Sequence, residues 1–250
     1  MPRLPLPPNV LEHSASFEWT FWLRHVQRAE EAFTALDRLL SNHEARGQHL
    51  LRIEPATTDP TVRAQMADFV RQLEDSNLSD AHDVYRRQVL VALASLFEGA
   101  TADFLTAVFA RKPEHMGELP PEVRPLLPWD TLHPANRDAR LKQLAKDTGR
   151  RVSKLKSKQV LKWVEKLACG DIEEPERGHL LAMLNWRHRI VHERSEELIS
   201  TPSIDRLFEV LCAYLKRLSD LAIENGLDVD VGFIQLARAH AAKSRGEAKD

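Results

Sequence analysis

The stretch 80–110, DAHDVYRRQVLVALASLFEGATADFLTAVFA, constrains the fold of this chain more than any other part of the sequence. Its apolar residues recur at every third or fourth position over about eight helical turns. They form one broad face that includes Val89, Leu90, Leu93, Leu96, Phe97, Ala100, Phe104 and Val108. Because a long apolar face has to be covered by other elements, we predict that this stretch is the central core helix.

The rest of the chain also favours helices. Only 9 of the 250 residues are glycine, whereas Ala, Leu, Glu, Arg and Lys are abundant, so the turn signals that separate short strands are scarce. We therefore predict an all-α fold. Apolar residues at helical spacing predict further helices over 17–45, 61–74, 135–149, 157–168, 179–193, 204–225 and 231–241.

The predicted domain organisation follows from the places where helical spacing stops. The stretch 112–134 holds six prolines and cannot form one regular helix. We predict a helical extension over 1–78, a helical domain over 79–228 with a Pro-rich and basic insertion over 112–170, and a short helix with a frayed tail over 229–250.

Neither cysteine chemistry nor a membrane is indicated by the sequence. Cys169 and Cys212 each lie in an apolar helical pattern, which supports neither a disulfide framework nor a thiolate metal site. No apolar run approaches the roughly 18 residues that span a bilayer, and the N-terminal MPRLPLPPNV is too rich in proline for a signal peptide. We expect a cytoplasmic protein without a membrane anchor.

Positive charge is concentrated in one part of the chain. Between residues 140 and 166 there are ten Lys or Arg and only two acidic residues, although the whole chain has a net charge of −2. Such a segment is typical either of a surface that binds a polyanion or of an ordinary solvated helix surface. The sequence leaves both interpretations open.

The hexapeptide RHRIVH, residues 187–192, places four basic or titratable side chains on a helix that is otherwise amphipathic. At 100° per residue, Arg187 falls in the middle of the apolar face, His188 lies within that face and His192 lies at its edge. The residues predicted to form this face are Leu180, Leu181, Met183, Leu184, Ile190 and Val191. Arg189 points to the opposite side, so the two arginines are not equivalent.

Three interpretations account for an arginine on an apolar face. In the first, Arg187 pairs with a buried acid of another helix, since an unpaired buried charge costs several kcal/mol. In the second, His188 and His192, one turn apart, bind zinc, although no third ligand is evident and Arg187 would repel the cation. In the third, the side chains act on a phosphodiester.

The chemistry of the third interpretation needs only these residue types. A guanidinium offers a planar fork of donors to a phosphate, and a histidine, with a pKa near ~6.5, can accept or donate a proton. Arg187 and His192 are about 7.5 Å apart along an unbroken helix axis. That separation is wide for one phosphate unless the helix loosens or a second copy of the chain contributes.

The residues Arg187-His188-Arg189-Ile190-Val191-His192 resemble the R-[polar]-x-x-x-H signature of HEPN domains. In that signature Arg is followed by Asn, Asp or His and, after a short spacer, by His. The placement is similar as well, because the motif ends a helix before a polar loop and a long last helix. The stretch 80–110, with Glu98 near its midpoint, resembles the first core helix of RiboL-PSP-like HEPN proteins. The resemblance covers roughly residues 80–225.

This resemblance implies an HEPN-like helical bundle that acts as a homodimeric, metal-independent endoribonuclease without a cofactor, as is common in toxin–antitoxin and phage-defence systems. Arg187 would bind the scissile phosphate and His192 would transfer protons during attack by the ribose 2′-hydroxyl. His188 would orient this pair or contact the RNA. The products would include a 2′,3′-cyclic phosphate.

The resemblance also gives the basic segment a role. The residues that would guide the RNA are Arg150, Arg151, Lys154, Lys156 and Lys158. Glu98 is an auxiliary candidate, although it lies off the apolar face of its helix, where a solvated glutamate is the default. An antitoxin or sensor protein is a further partner. Some HEPN domains bind RNA, a nucleotide or a partner protein without catalysis, and such a module is the alternative.

Overall fold

A single helix of 52 residues, α3 (Pro60–Arg111), is the element on which most of the other helices pack in this computed structural model. The structure describes residues 16–52, 59–125, 137–168, 170–193 and 198–229. The predicted helices 61–74 and 80–110 are one continuous helix in the structure. The residues between them, DSNLS, contain neither proline nor glycine, so nothing in the sequence breaks the helix there. Asp59 caps its start by accepting hydrogen bonds from the backbone N–H groups of Thr61 and Val62. The predicted domain boundary between residues 78 and 79 falls inside α3.

The predicted all-α fold is confirmed, since 83% of the described residues are helical. Around α3 lie α1 (Trp19–Ser41), α2 (His43–Leu51), a 3₁₀ helix (Pro113–Glu118), α4 (Arg137–Ser153), α5 (Ser157–Ala168), α6 (Glu176–His192) and α7 (Thr201–Glu224). Two short strands, β1 (Ser16–Phe17) and β2 (Asp228–Val229), pair in parallel.

The observed ends of the helices agree with the predicted ends to different degrees. Helix α5 has its predicted bounds, whereas α6 and α7 each begin three residues before the predicted start. The predicted helix 17–45 is divided by Asn42, whose side chain accepts hydrogen bonds from the first backbone N–H groups of α2. The predicted helix 231–241 lies outside the described residues.

The core lies where α1, α3 and α7 meet. Phe33 of α1 packs against Phe208 of α7, and Phe97 of α3 packs against Tyr214 of α7. The Tyr214 hydroxyl is 2.9 Å from the hydroxyl of Thr101, and burial raises the pKa of this tyrosine. Helix α1 therefore belongs to the same core as the predicted helical domain.

Side-chain hydrogen bonds at three positions along α3 show that α7 runs alongside it in the same direction. Arg86 donates to Thr201 near the start of α7, Thr101 meets Tyr214 near its middle, and Lys112 donates to Asn225 at its end. Helix α6 packs on both α3 and α7. This arrangement places the C-terminal end of α6, with the RHRIVH motif, on the surface of the α3–α7 pair.

Helix α3 also has the length and hydropathy that a membrane span requires, the only such case among the described residues. Half of the apolar window is buried under other parts of the protein. A core helix meets the same criterion. The expectation of a cytoplasmic protein stays a prediction.

A partly buried polar cluster around Asp37 joins α1, α3 and the start of α7. The carboxylate accepts hydrogen bonds from His82 at 2.8 Å, Thr201 at 2.8 Å and Arg86 at 3.3 Å, and its side chain is 13% exposed. Burial opposes ionisation of Asp37, but hydrogen bonds from these three groups and the Arg86 charge outweigh it and lower its pKa. This Asp37 cluster fixes the first turn of α7, which follows the loop after the motif.

We expect Asp37→Asn to lower the free energy of unfolding by roughly 1–3 kcal/mol near neutral pH, because the amide has no negative charge to pair with Arg86 and its NH2 group cannot accept from the donors of the cluster. The folded-state pKa of Asp37 lies below the unfolded value of about 3.9. Its contribution is therefore complete well above that value and is lost as the pH falls through the folded-state pKa. Urea unfolding at a series of pH values measures both effects.

Asp205→Asn is the matched control for this prediction. Burial, together with the charges of Asp37 and Glu209, raises the pKa of Asp205, so its ionised form is disfavoured in the folded protein. We expect Asp205→Asn to leave stability near neutral pH unchanged or slightly higher. A loss of stability as large as that of Asp37→Asn would contradict the assignment.

Candidate active site

A cleft of about 900 Å³ lies between α3, the turn that joins α4 to α5, and α6. It brings together Arg187 and His188, both predicted catalytic residues, and Glu98, the auxiliary candidate. Three of the predicted RNA-binding residues, Lys154, Lys156 and Lys158, also line it. Arg150 and Arg151 are exposed on the last turns of α4 and do not line the cleft.

The lysine side of the cleft is formed by a tight turn. Helix α4 ends at Ser153, and the N–H of Leu155 donates to the carbonyl of Val152 at 3.0 Å. Leu155 packs against the core, whereas Lys154 and Lys156 on either side of it are exposed. Because Leu155 points to the core, the lysines on either side of it point outward. Neither lysine forms an ion pair with a described residue.

A close helix contact holds this turn near α3. A Cβ atom added at Gly149 would lie 2.6 Å from the Thr106 hydroxyl oxygen and 2.7 Å from the carbonyl oxygen of Ala102. Both distances are shorter than van der Waals contact, so α4 can approach α3 this closely only with glycine at this position. The approach brings the lysine turn to the same side of α3 as Glu98.

The opposite side of the cleft is α6. Leu180, Met183 and Leu184 are buried in the core, and Arg187 follows them on the same helical face. The Arg187 Nε atom is buried and has no hydrogen-bond partner. The stem of the arginine is therefore covered by protein, as the apolar pattern predicts, while its guanidinium lies at the cleft.

Two residues of the predicted apolar face are exposed. The side chain of His188 is 60% exposed and its Nε2 atom is 3.8 Å from Glu193, and Val191 is 44% exposed. The helical wheel was wrong for these residues because the covered face of α6 narrows beyond Leu184. Arg189 is 41% exposed and 3.9 Å from Glu193, in agreement with its predicted orientation to solvent.

Arg187 and His192 meet within one chain. The Arg187 Nη1 atom is 3.5 Å from His192 Nε2, although α6 remains helical up to His192. The spacing of five residues was expected to be wide for one phosphate unless the helix loosens or a second copy contributes, and that expectation stays a prediction. The contact forms because the long arginine side chain extends along the helix axis. The rings of His188 and His192 are 4.9 Å apart between centroids. The three predicted catalytic side chains thus form one contiguous group.

The buried ion pair and the zinc site, the two alternative interpretations of the motif, both lack the residues that they require among the described residues. Among the described parts of the chain, Arg187 forms no ion pair with an acidic residue. Within the same residues, no group of three His, Cys, Asp or Glu side chains could hold a metal ion. The guanidinium is therefore a donor group next to a histidine, at a cleft that also contains three lysines.

Glu98 lies in the cleft rather than in open solvent. It is half-buried, and it has no hydrogen-bond or ion-pair partner among the described residues. Glu98 was expected off the apolar face of α3, and the structure places it there, partly exposed at a groove between α6 and the lysine turn that the apolar face does not reveal. Asn185 and Gln159 also line the cleft. Asn185 could have been found from its place one turn before His188.

Comparisons of the chain with family models, with curated proteins and with solved structures find no match.

The Arg187–His192 contact predicts one tautomer of the neutral imidazole. Since the guanidinium can only donate, His192 Nε2 has to accept, which places the proton on Nδ1. Nitrogen-15 NMR of the imidazole above its pKa should report this tautomer, and Arg187→Ala should shift the population toward the other one. Arg189→Ala should leave it unchanged. A proton on Nε2 in the unaltered protein would contradict the geometry.

Proposed function

We propose that this protein is a metal-independent endoribonuclease of the HEPN type. The observation that carries the proposal is the contact between His192 and Arg187. Arg187 lines the cleft together with Lys154, Lys156 and Lys158, whereas His192 does not line it. A guanidinium with one buried unpaired N–H and no acidic partner among the described residues is suited to an anionic ligand. A histidine beside the bound phosphate is placed for proton transfer.

The proposed reaction uses these groups in one displacement. Arg187 holds the scissile phosphate and stabilises the charge that develops on its oxygens. The 2′-hydroxyl attacks phosphorus, the bond to the 5′-oxygen breaks, and His192 takes part as acid or base. His188, exposed at the rim and beside His192, contacts the RNA or orients the pair. The products are a 2′,3′-cyclic phosphate and a 5′-hydroxyl.

The proposed substrate path follows the lysine side of the cleft. Lys154, Lys156 and Lys158 replace phosphate counterions there, which provides affinity without reading sequence. Arg150 and Arg151, exposed before this turn, extend the positive surface away from the cleft. An RNA strand would thus bind across the α4–α5 turn with one phosphate at Arg187.

The proposal includes a homodimer. Val191 and Leu198, on either side of His192 in the sequence, are exposed apolar side chains. In the proposed dimer, a second protomer would cover these side chains. An antitoxin or sensor protein in a toxin–antitoxin or phage-defence system is the further proposed partner, and it would block the cleft or release it.

A non-catalytic module that binds RNA, a nucleotide or a partner protein is the second candidate. The lysine side of the cleft favours this function equally, because it needs only positive charge. The Arg187–His192 contact favours the nuclease, since binding alone does not require a histidine beside the phosphate. Cleavage assays separate the two.

We expect the purified protein to cleave RNA in EDTA, and His192→Ala to reduce kcat about 10²–10⁴-fold, because a proton-transfer group is removed. Arg187→Ala should reduce it about 10²–10³-fold. Arg189→Ala is the matched control, because it removes an arginine of the same helix that points away from the cleft. Circular dichroism establishes that each variant is folded. RNA that stays intact, or equal cleavage by His192→Ala, would refute the nuclease.

We expect RNA binding to weaken with salt and to lose this dependence in part when Lys154, Lys156 and Lys158 are changed to Gln. Each lysine that contacts a phosphate contributes about 0.7–0.9 to the slope of log K against log salt, so the slope should fall by about 2. A control triple variant changes Lys142, Lys146 and Lys162, which are exposed outside the cleft. Equal slopes for both triple variants would exclude the proposed path.

A further inference from the structure

Cleavage by a 2′-hydroxyl needs two proton transfers, one from the attacking oxygen and one to the leaving oxygen. The two oxygens lie on opposite sides of the phosphorus atom in an in-line displacement, so the two proton-transfer groups also have to lie on opposite sides. His188 and His192 belong to the same end of α6, and their ring centroids are 4.9 Å apart. Both histidines therefore approach a phosphate at Arg187 from the α6 side.

Glu98 is the one acidic side chain among the described residues that line the cleft. It belongs to α3, whereas Arg187 and His188 belong to α6, and all three line the same cavity. Its carboxylate is half-buried without a hydrogen-bond or ion-pair partner among the described residues. A partly exposed carboxylate without a partner adds no hydrogen bond or ion pair to the stability of the fold. Glu98 is therefore available to a ligand in the cleft.

The charges around Glu98 sharpen this argument. Lys154, Lys156, Lys158 and Arg187 line the cleft, yet none of them forms an ion pair with the carboxylate. In a cleft that only bound phosphates, a carboxylate would weaken binding by repulsion. A hydroxyl group is the part of an RNA strand that a carboxylate can accept from. Glu98 therefore suits the ribose rather than the phosphate.

We propose that Glu98 is the general base that takes the proton from the ribose 2′-hydroxyl, while His192 donates a proton to the leaving 5′-oxygen. The inference rests on the proposed ribonuclease function and adds a second catalytic residue to it. The oxygen–phosphorus bond forms as Glu98 accepts the proton, and the bond to the 5′-oxygen breaks as His192 gives one up. A single chain then holds both proton-transfer groups, and a second copy is not needed for the chemical step.

Glu98→Gln tests this role because it keeps the shape of the side chain and removes its basicity. We expect kcat to fall at least about 10²-fold with KM within about threefold of its original value. The fall in rate on the acidic side of the pH profile, which reports protonation of the base, should disappear. Glu98→Asp, which keeps a carboxylate, should retain that limb with a reduced kcat. Glu209→Gln, an exposed glutamate of α7 outside the cleft, is the control.

A substrate with an activated leaving group assigns the two roles separately. With uridine 3′-(p-nitrophenyl phosphate), the leaving group needs no proton, so the defect of His192→Ala should shrink while that of Glu98→Gln persists. The reverse pattern would overturn the assignment. So would a Glu98→Gln variant with unchanged kcat and an intact acidic limb.

The order of the measurements separates this inference from the proposed function. If the unaltered protein cleaves neither RNA nor the activated substrate, the ribonuclease itself is refuted. If the unaltered protein cleaves both substrates and the Glu98 variants cleave them at the same rate, the inference about Glu98 fails and the proposed ribonuclease stands. Activity per chain that stays constant on dilution into the monomer range supports a site within one chain, and activity per chain that falls in proportion to the concentration contradicts it.

Discussion

The burial of α3 along its length is the constraint on which the rest of the structure depends. A helix of 52 residues with a broad apolar face needs cover at several levels. Helix α7 provides it on one side by running in the same direction, with contacts from Arg86 to Lys112. Helix α4 provides it on another, where Gly149 permits backbone contact. The cleft is the groove that remains where α6 and the α4–α5 turn approach α3 without meeting.

The helices could be predicted from the sequence because their period and caps are local properties. The long apolar face of 80–110 and the exact bounds of α5 needed no knowledge of neighbouring elements. The continuity of α3 was missed because a polar segment without proline or glycine was interpreted as a break. The width of the covered face of α6 and the surroundings of Glu98 could not be derived, since both depend on which helices pack beside them. The wheel therefore failed for His188 and Val191 and succeeded for Arg187.

For the candidate site, too, some features could be predicted from the local sequence and others depend on tertiary packing. Arg187, His188 and His192 could be named from one hexapeptide, because residues of one helix end share a local geometry. That Arg187 reaches His192 at 3.5 Å depends on the side-chain conformation of a long residue, which the residue spacing does not contain. The basic segment was correctly identified as uneven charge, but only the packing of Leu155 decides which of its lysines turn toward the cleft.

The carboxylate in the cleft bears on the choice between a nuclease and a binding module. A module that only holds RNA or a nucleotide gains affinity from every positive charge and loses it to a negative one. Glu98, which is half-buried in a cleft lined by cations and has no partner among the described residues, would weaken such a module without any return in stability. In a nuclease the same carboxylate can accept the proton that the 2′-hydroxyl loses during the reaction. This interaction forms only in the transition state, so it accelerates the chemical step and offsets the repulsion of the phosphate. The presence of Glu98 in the same cleft as Arg187 therefore supports the proposed nuclease over a binding module, on physical grounds that are independent of the motif.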